Sequence, residues 1–213
     1  GQVSADGSIT IEWKGHSCFV LTSSAGVRVL TDPFNAGMGY TLPEVEAGVV
    51  TISHEHSDHN NVGVAKGDPT ILRGLAGDKV AKIDQEIKGV RFRTVSSFHD
   101  SAQGKKRGLN AIFVIEMDGI KIAHLGDLGH ILTEDQVKSL GKIDILLIPV
   151  GGTYTIDGAQ AQEVSAQLKP KIVIPMHYGT ADLSFSLAVV DDFLKGQKNV
   201  VREDKLVISK EEL

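Results

Sequence analysis

The chain has 213 residues, 41% hydrophobic and 23% charged, with a formal net charge of −5 and a pI near 5.9. That composition supports one sizeable core and excludes general attraction to nucleic acid or acidic membranes. A lone cysteine, Cys18, excludes an internal disulfide framework, and no apolar run approaches the roughly 18 residues that span a bilayer.

A single domain over residues 1–213 is expected, with 1–8 as a flexible tail or a cloning remnant. Cytoplasmic residence is expected, with an exported form after signal-peptide removal left open. Residues 9–13, 18–22 and 27–31 read as a meander of three short strands. Cys18 fits there as a small buried hydrophobe. In the turn Gly15-His16-Ser17, His16 reads as a hydrogen-bonded turn histidine, with reach into a site as the alternative.

The third strand ends in Asp32-Pro33-Phe34. An Asp held by a following Pro either caps an Asx-turn or orients a neighbouring ligand. Residues 35–46, with Gly37, Gly39 and Pro43, read as an irregular loop in which Met38, Tyr40 and Leu42 either roof a pocket or pack.

The centre of the chain is His54-Glu55-His56-Ser57-Asp58-His59, directly after the apolar strand 48–53. In extended chain, His54 and His56 share one side, and Asp58 and His59 can turn to a second position. Imidazole with carboxylate suits zinc, iron or manganese better than magnesium or calcium.

A short helix is expected to begin over 62–66, and strands over 70–72 and 90–95, the latter running into Phe98-His99. Gly104-Lys105-Lys106-Arg107-Gly108 reads as a mobile basic loop, either a solvated tip or a clamp for an anionic substrate. Strands 110–117 and 120–124 form a hairpin through Asp118-Gly119. The hairpin opens into His124-Leu125-Gly126-Asp127-Leu128-Gly129-His130. There Asp127 is either a ligand or a turn cap, His124 an inward support, and His130 a candidate to line a pocket.

A short polar helix is expected over 134–140, then a buried strand over 143–150 ending at Gly151-Gly152-Thr153-Tyr154. Tyr154 is available to substrate or to packing. Residues 159–168 read as a helix stopped by Pro170, and 171–179 as a strand whose end presents His177. An amphipathic helix over 185–194 and a final strand or two within 200–209 complete the expectation.

The His-x-His-x-Asp-His run resembles the signature of the metallo-β-lactamase superfamily of metal-dependent hydrolases. The strand ends carrying His99, Asp127 and His177 match where that family places its other ligands. The likeness runs from Gly15-His16-Ser17 to His177-Tyr178-Gly179 and is closest to the small hydrolases near ascorbate-6-phosphate lactonase. It implies an α+β fold, a four-layer αββα sandwich of two mixed sheets with helices outside and metals at one edge. It implies two divalent ions, zinc first, with manganese or iron as alternatives. His54, His56 and His99 would hold one, Asp58, His59 and His177 the other, with Asp127 bridging and Asp32 supporting the histidine loop from behind.

The implied reaction is hydrolysis of a small ester, lactone or phosphodiester by a metal-bridging hydroxide. Asp58 and Asp127 are the catalytic carboxylates, Asp58 passing a proton to the leaving group. His56 stands where oxygen-reducing diiron relatives carry Glu, which favours hydrolysis over redox chemistry. The chain is too short for the cap domain of the superfamily's nucleic-acid nucleases. The expected partner is a small-molecule substrate, neither nucleic acid nor membrane, with homo-oligomers left open. Lys105, Lys106, Arg107, His130 and Tyr154 are the candidate substrate contacts. The alternative function is a non-catalytic metal-dependent binding or sensing module on the same fold.

Overall fold

The structure is a computed structural model and describes residues 3–213. Its strands in chain order are β1 Ile9–Gly15, β2 Cys18–Thr22, β3 Arg28–Thr31, β4 Val45–Glu46, β5 Val49–Ile52, β6 Ala65–Lys66, β7 Thr70–Arg73, β8 Leu75–Ala76, β9 Lys79–Val80, β10 Asp84–Ile87, β11 Val90–Phe98, β12 Leu109–Met117, β13 Ile120–His124, β14 Ile145–Pro149, β15 Ile172–Met176 and β16 Lys205–Ile208. The helices are α1 Glu134–Leu140, α2 Gly158–Leu168 and α3 Asp191–Leu194. Two six-stranded mixed sheets result, ordered β16-β1-β2-β3-β5-β7 and β10-β11-β12-β13-β14-β15.

The period-2 alternation of strands decides how the layers stack. Ile11, Phe19, Leu21, Val29 and Val49 of the first sheet meet Phe92, Phe113, Ile115, Ile122, Ile145 and Leu147 of the second in one cluster. The alternate residues Ile112, Val114, Ala123, Leu146 and Ile148 face the other way, against Leu140 of α1, Ala161 and Val164 of α2 and Phe193 of α3. The central strands of the second sheet are therefore apolar on both faces, as their unbroken hydrophobic runs require. At roughly 1.5–3 kcal/mol for each large side chain buried, these two clusters dominate the stability of the fold.

On the outer face of the first sheet, Cys18, Val20, Leu30, Val50 and Ile52 are covered by Phe34, Met38, Val64 and Leu183. That cover is irregular chain, the 3-10 turn Val62–Val64 and the short β4–β6 pair, so among the described residues helices pack on one outside only. The four-layer order expected for the chain is modified to that extent. The same turn replaces the helix expected over 62–66, and the chain then continues as β6.

Strand direction places the site. β1, β3 and β5 run the same way, since β1 and β3 both pair antiparallel with β2 and β5 pairs parallel with β3. In the second sheet β11 and β13 both pair antiparallel with β12, and β13, β14 and β15 run parallel. The loops that follow these strands carry His16, Asp32, His54 to His59, His99, Asp127, Tyr154 and His177. Two backbone bonds close the sheets upon each other there: Ala111 N–H donates to Ser53 O at 2.9 Å and His177 N–H to His16 O at 3.1 Å.

Helix ends follow their local signals. Thr133 and Asp157 cap α1 and α2, each reciprocated by a glutamine three residues on, Gln136 and Gln160. The helix expected over 185–194 shrinks to the single turn α3. Upstream, the backbone is spent on neighbours instead, with Ser184 N–H donating to Met38 O and Ala188 N–H to Gly151 O. Within the expected tail, Ser4 N–H donates to Ser24 O and Ser8 is buried, so this segment is docked on the first sheet; residues 1 and 2 lie outside the described residues. Strands β8, β9 and β10 had no expectation. No helix of the described residues is long and apolar enough to cross a membrane.

Candidate metal centre

Seven residues named from the sequence as ligands converge at the shared sheet edge. His54, His56 and His99 present ring nitrogens within 4.8 Å of one another, as do His16, Asp58, His59 and His177 with their ligand atoms. Asp127 lies between the two groups. Its Oδ2 is 3.0 Å from Nε2 of both His59 and His99 and 3.3 Å from Nε2 of His54; its Oδ1 is 3.4 Å from His177 Nε2.

Asp32 stands behind this cluster, 1% exposed. Its Oδ2 accepts from Ser53 Oγ at 2.5 Å and from His59 Nδ1 at 2.9 Å, and its Oδ1 accepts from the Ser53 N–H at 2.8 Å. Ser53 Oγ is in turn 2.8 Å from His54 Nδ1. Because the serine proton goes to Asp32, Ser53 accepts from His54. Both imidazoles then carry Nδ1–H and turn Nε2 lone pairs to the centre. One carboxylate thereby orients two histidines.

Asp127 is fixed just as firmly. Its N–H donates to Asn110 Oδ1 at 2.9 Å, and Asn110 Nδ2 donates to Leu125 O and Ser97 Oγ. Gly126 sits at φ 58, where a side chain would run into Asn110 and Ser53. His124 supports the same turn: its Nδ1 accepts from the Gly126 N–H and its Nε2 donates to Ser17 O.

His16 is the residue the sequence undervalued. It is fully buried, its Nε2 is 2.8 Å from Asp58 Oδ2, and its ring lies 4.0 Å from that of His177. The signal available was positional: its turn closes a strand running in the direction of β3 and β5. Asn110, Ser53 and Asp100 were not singled out at all, because ordinary polar residues acquire these roles only through partners distant in sequence.

The chemistry of the donor set fits a cation. His54 Nε2, His59 Nε2, both ring nitrogens of His99, Asp127 Oδ1 and His177 Nδ1 are buried without a hydrogen-bond partner. Each such group is costly, about 1–3 kcal/mol, when nothing satisfies it. A single carboxylate oxygen cannot take three linear hydrogen bonds from three converging imidazoles. The electrostatics agree. Burial would raise the pKa of Asp127, yet His177, His59 and His54 together hold it well below the usual carboxylate value. Burial lowers His54 and His16 to about 4. His59 is driven well above its ordinary value: burial opposes this, but Asp127 and Asp58 outweigh it. The buried carboxylate of Asp127 and the partly buried one of Asp58 call for positive charge at the cluster, which divalent cations would supply.

A cavity of about 530 Å³ opens over the centre, with His56, Asp58, His99, Asp127 and His177 at its floor and Met38, Tyr154, Phe185 and Arg107 on its walls. Of the candidate substrate residues, Arg107 and Tyr154 therefore face it. Lys105 and Lys106 are exposed and do not line it. His130 does not line it either: its Nε2 accepts from the Phe98 N–H at 3.1 Å and its Nδ1 donates to Ile131 O at 2.9 Å, so the ring splices β11 to the 124–130 loop. The expected mobile basic loop is in fact organised around a buried carboxylate, that of Asp100.

That loop packs on Gly129 so closely that a Cβ at 129 would overlap the backbone of Asp100 and His99. Gly129→Ala is thus expected to displace His99 and lower metal affinity about 10- to 100-fold while circular dichroism stays that of a folded protein. Unchanged affinity in a metal-competition titration would show that the loop can give way.

Comparison with known proteins yields the same family from three directions. A match to the β-lactamase superfamily domain runs over residues 10–177. The UPF0173 metal-dependent hydrolase of Archaeoglobus fulgidus is 32% identical over 226 residues, covering 94% of this chain and 95% of its own length. A crystal structure from Thermotoga maritima, assigned to a Zn-dependent hydrolase of the metallo-β-lactamase superfamily, is 43% identical with a TM-score of 0.71, covering 88% of this chain and 84% of that one. A metal-dependent hydrolase from Parabacteroides distasonis, 23% identical, shares the fold with a TM-score of 0.68 over 92% of both chains. The chain belongs to the metallo-β-lactamase superfamily and is one of its metal-dependent hydrolases.

Proposed function

We propose that this chain is a dinuclear hydrolase of a small ester, lactone or phosphodiester, acting without nucleic acid or membrane as partner. The observation that carries the reading is the Asp127 carboxylate, within 3.0–3.4 Å of imidazoles from both ligand groups. His54, His56 and His99 would hold one ion, Asp58, His59 and His177 the second, and Asp127 would be shared between them. Zinc suits this nitrogen-rich set and is the metal named for the Thermotoga maritima relative. Bound there, two divalent cations would supply Lewis-acid polarisation of a substrate oxygen and a lowered pKa for water.

The chain's own residues do the rest. Asp32 and Asn110 keep His54, His59 and Asp127 from reorganising as charge develops. Asp58 is partly exposed to the cavity, and His16 engages its Oδ2. Held ionised by His59 and His16, its carboxylate would take the proton that the attacking water gives up and return it through Oδ1 to the departing oxygen. Met38, Tyr154 and Phe185 give the cavity apolar walls beside these groups.

Elemental analysis of the purified protein tests this reading, together with turnover of a panel of esters, lactones and phosphodiesters. About two metal ions per chain are expected, with activity abolished by a chelator and restored by zinc. Full metal loading without turnover across the panel would point instead to a binding or sensing module.

A further inference from the structure

The loop from His99 to Gly108 joins a candidate metal ligand at one end to a cavity-facing arginine at the other. Asp100 is its keystone. This carboxylate is 4% exposed and accepts four backbone N–H bonds: Ala102 at 2.8 Å and Gly104 at 2.9 Å on Oδ1, Lys106 at 2.9 Å and Arg107 at 2.7 Å on Oδ2. The loop then closes on itself, with Gly108 N–H donating to Gly104 O and His99 N–H to Gly108 O, both at 2.9 Å. A ten-residue loop held in this way cannot place Arg107 at random.

Arg107 projects over the ring of Tyr154, its guanidinium carbon 5.4 Å from the ring centroid. Three of the other five arginines are engaged elsewhere, and neither Arg28 nor Arg202 lines the cavity. Arg73 pairs with Glu55, Arg91 with Asp84, and Arg93 donates to the carbonyls of Ser139 and Leu140. Among the described residues no acidic side chain pairs with Arg107, although it lines the same cavity as Asp58 and Asp127. This cation–π contact holds the guanidinium beside Tyr154 and leaves its N–H groups for a ligand. The neighbouring walls, Met38 and Phe185, are apolar.

We propose that Arg107 anchors an anionic group which the substrate carries away from its scissile bond, and that Asp100 is the positioning residue that aims it. The substrate class is then a small ester or lactone bearing a second, carboxylate or phosphate, group, with a short apolar stem against Tyr154 and Phe185. This identifies the substrate of the proposed hydrolytic site and rests on that reading. The planar fork of Arg suits either anion in a bidentate contact. Lys105 and Lys106 add a diffuse field and no contact.

The test pairs 4-nitrophenyl acetate, which is neutral, with mono-4-nitrophenyl glutarate, which carries a distal carboxylate. The wild-type protein should prefer the anionic ester in kcat/KM. Arg107→Ala should reduce that preference about 10- to 100-fold, chiefly through KM, the scale of a lost charge-assisted contact. Arg107→Lys should recover part of it and Asp100→Asn should lose part of it, whereas Lys105→Ala and Lys106→Ala should match the wild type on both esters. Calorimetric titration of metal-free protein with glutarate, and separately with inorganic phosphate, reads the anchor without any turnover and tells which anion it favours. Binding to wild type that weakens tenfold or more in Arg107→Ala supports the proposal. No binding to metal-free wild type, or equal binding to both proteins, overturns it. A metal-loaded protein that binds glutarate through Arg107 yet cleaves neither these esters nor the wider panel of esters, lactones and phosphodiesters would sink the hydrolytic reading and leave the anion anchor standing.

Discussion

Asp127→Asn is expected to lower turnover at saturating metal by about 10³-fold or more, with the protein still folded. The two side chains have nearly the same shape, so the change isolates charge. Asn110 grips the backbone N–H of residue 127 through its Oδ1 at 2.9 Å, so the turn survives the substitution. What is lost is the negative charge and one of the two oxygens, so Oδ2, which three Nε2 atoms approach within 3.0–3.3 Å, and Oδ1, facing His177, can no longer both act as acceptors. A neutral amide cannot be shared between two cations, and its NH₂ end would oppose them. Removing a preorganised charge at a reacting centre costs roughly 10²–10³ in rate, and a group that also holds the metals costs more. Metal content after gel filtration should fall from about two ions per chain. Activity within tenfold of wild type at saturating zinc would remove Asp127 from its central place.

The strand ends were legible because each is a short apolar run that stops at a residue able to bind metal. Burial makes such a run a strand, and a polar group at its end must then lie at the sheet edge. The error over 185–194 has a definite cause. Its apolar spacing suits one helical face, yet those residues serve two surfaces. Phe185 and Leu187 pack against the first sheet, while Val190, Phe193 and Leu194 pack against the outer side of the second. Periodicity cannot tell one stripe from two half-stripes. His16 was hidden for another reason: its partner Asp58 lies 42 residues further along the chain. Asp100, beside His99, carried no expectation, because the four backbone donors that surround it come together only when the loop folds. Likewise the helix expected at 62–66 lost to pairing, because Ala65 and Lys66 are drawn into a parallel pair with Val45 and Glu46.

The substitution with the broadest structural effect should be Asp32→Ala. Three donors, the Ser53 N–H, the Ser53 hydroxyl and His59 Nδ1, would lose their acceptor at once in a site with almost no solvent. Burial would raise the pKa of Asp32, yet its bond to His59 and the neighbouring His124 and His54 keep it below the ordinary value, so the anion is what the fold uses. Breaking a buried ionic network by removing one partner costs about 3–5 kcal/mol. Residue 32 also adopts φ 38, a conformation that Asn accepts far better than Ala. Asp32→Asn keeps the backbone geometry and one acceptor for Ser53, and should therefore fall between Ala and wild type in thermal stability. Ser53→Ala cuts only the branch to His54 and should be milder still. Metal affinity should follow the same order, with losses of about 10- to 100-fold where histidine orientation is lost. Unfolding curves of the metal-free proteins, paired with chelator competition on the loaded ones, separate the two effects. If Asp32→Ala bound metal as tightly as wild type, His54 and His59 would owe their aim to packing, and the hydrogen-bonded relay through Ser53 would be incidental.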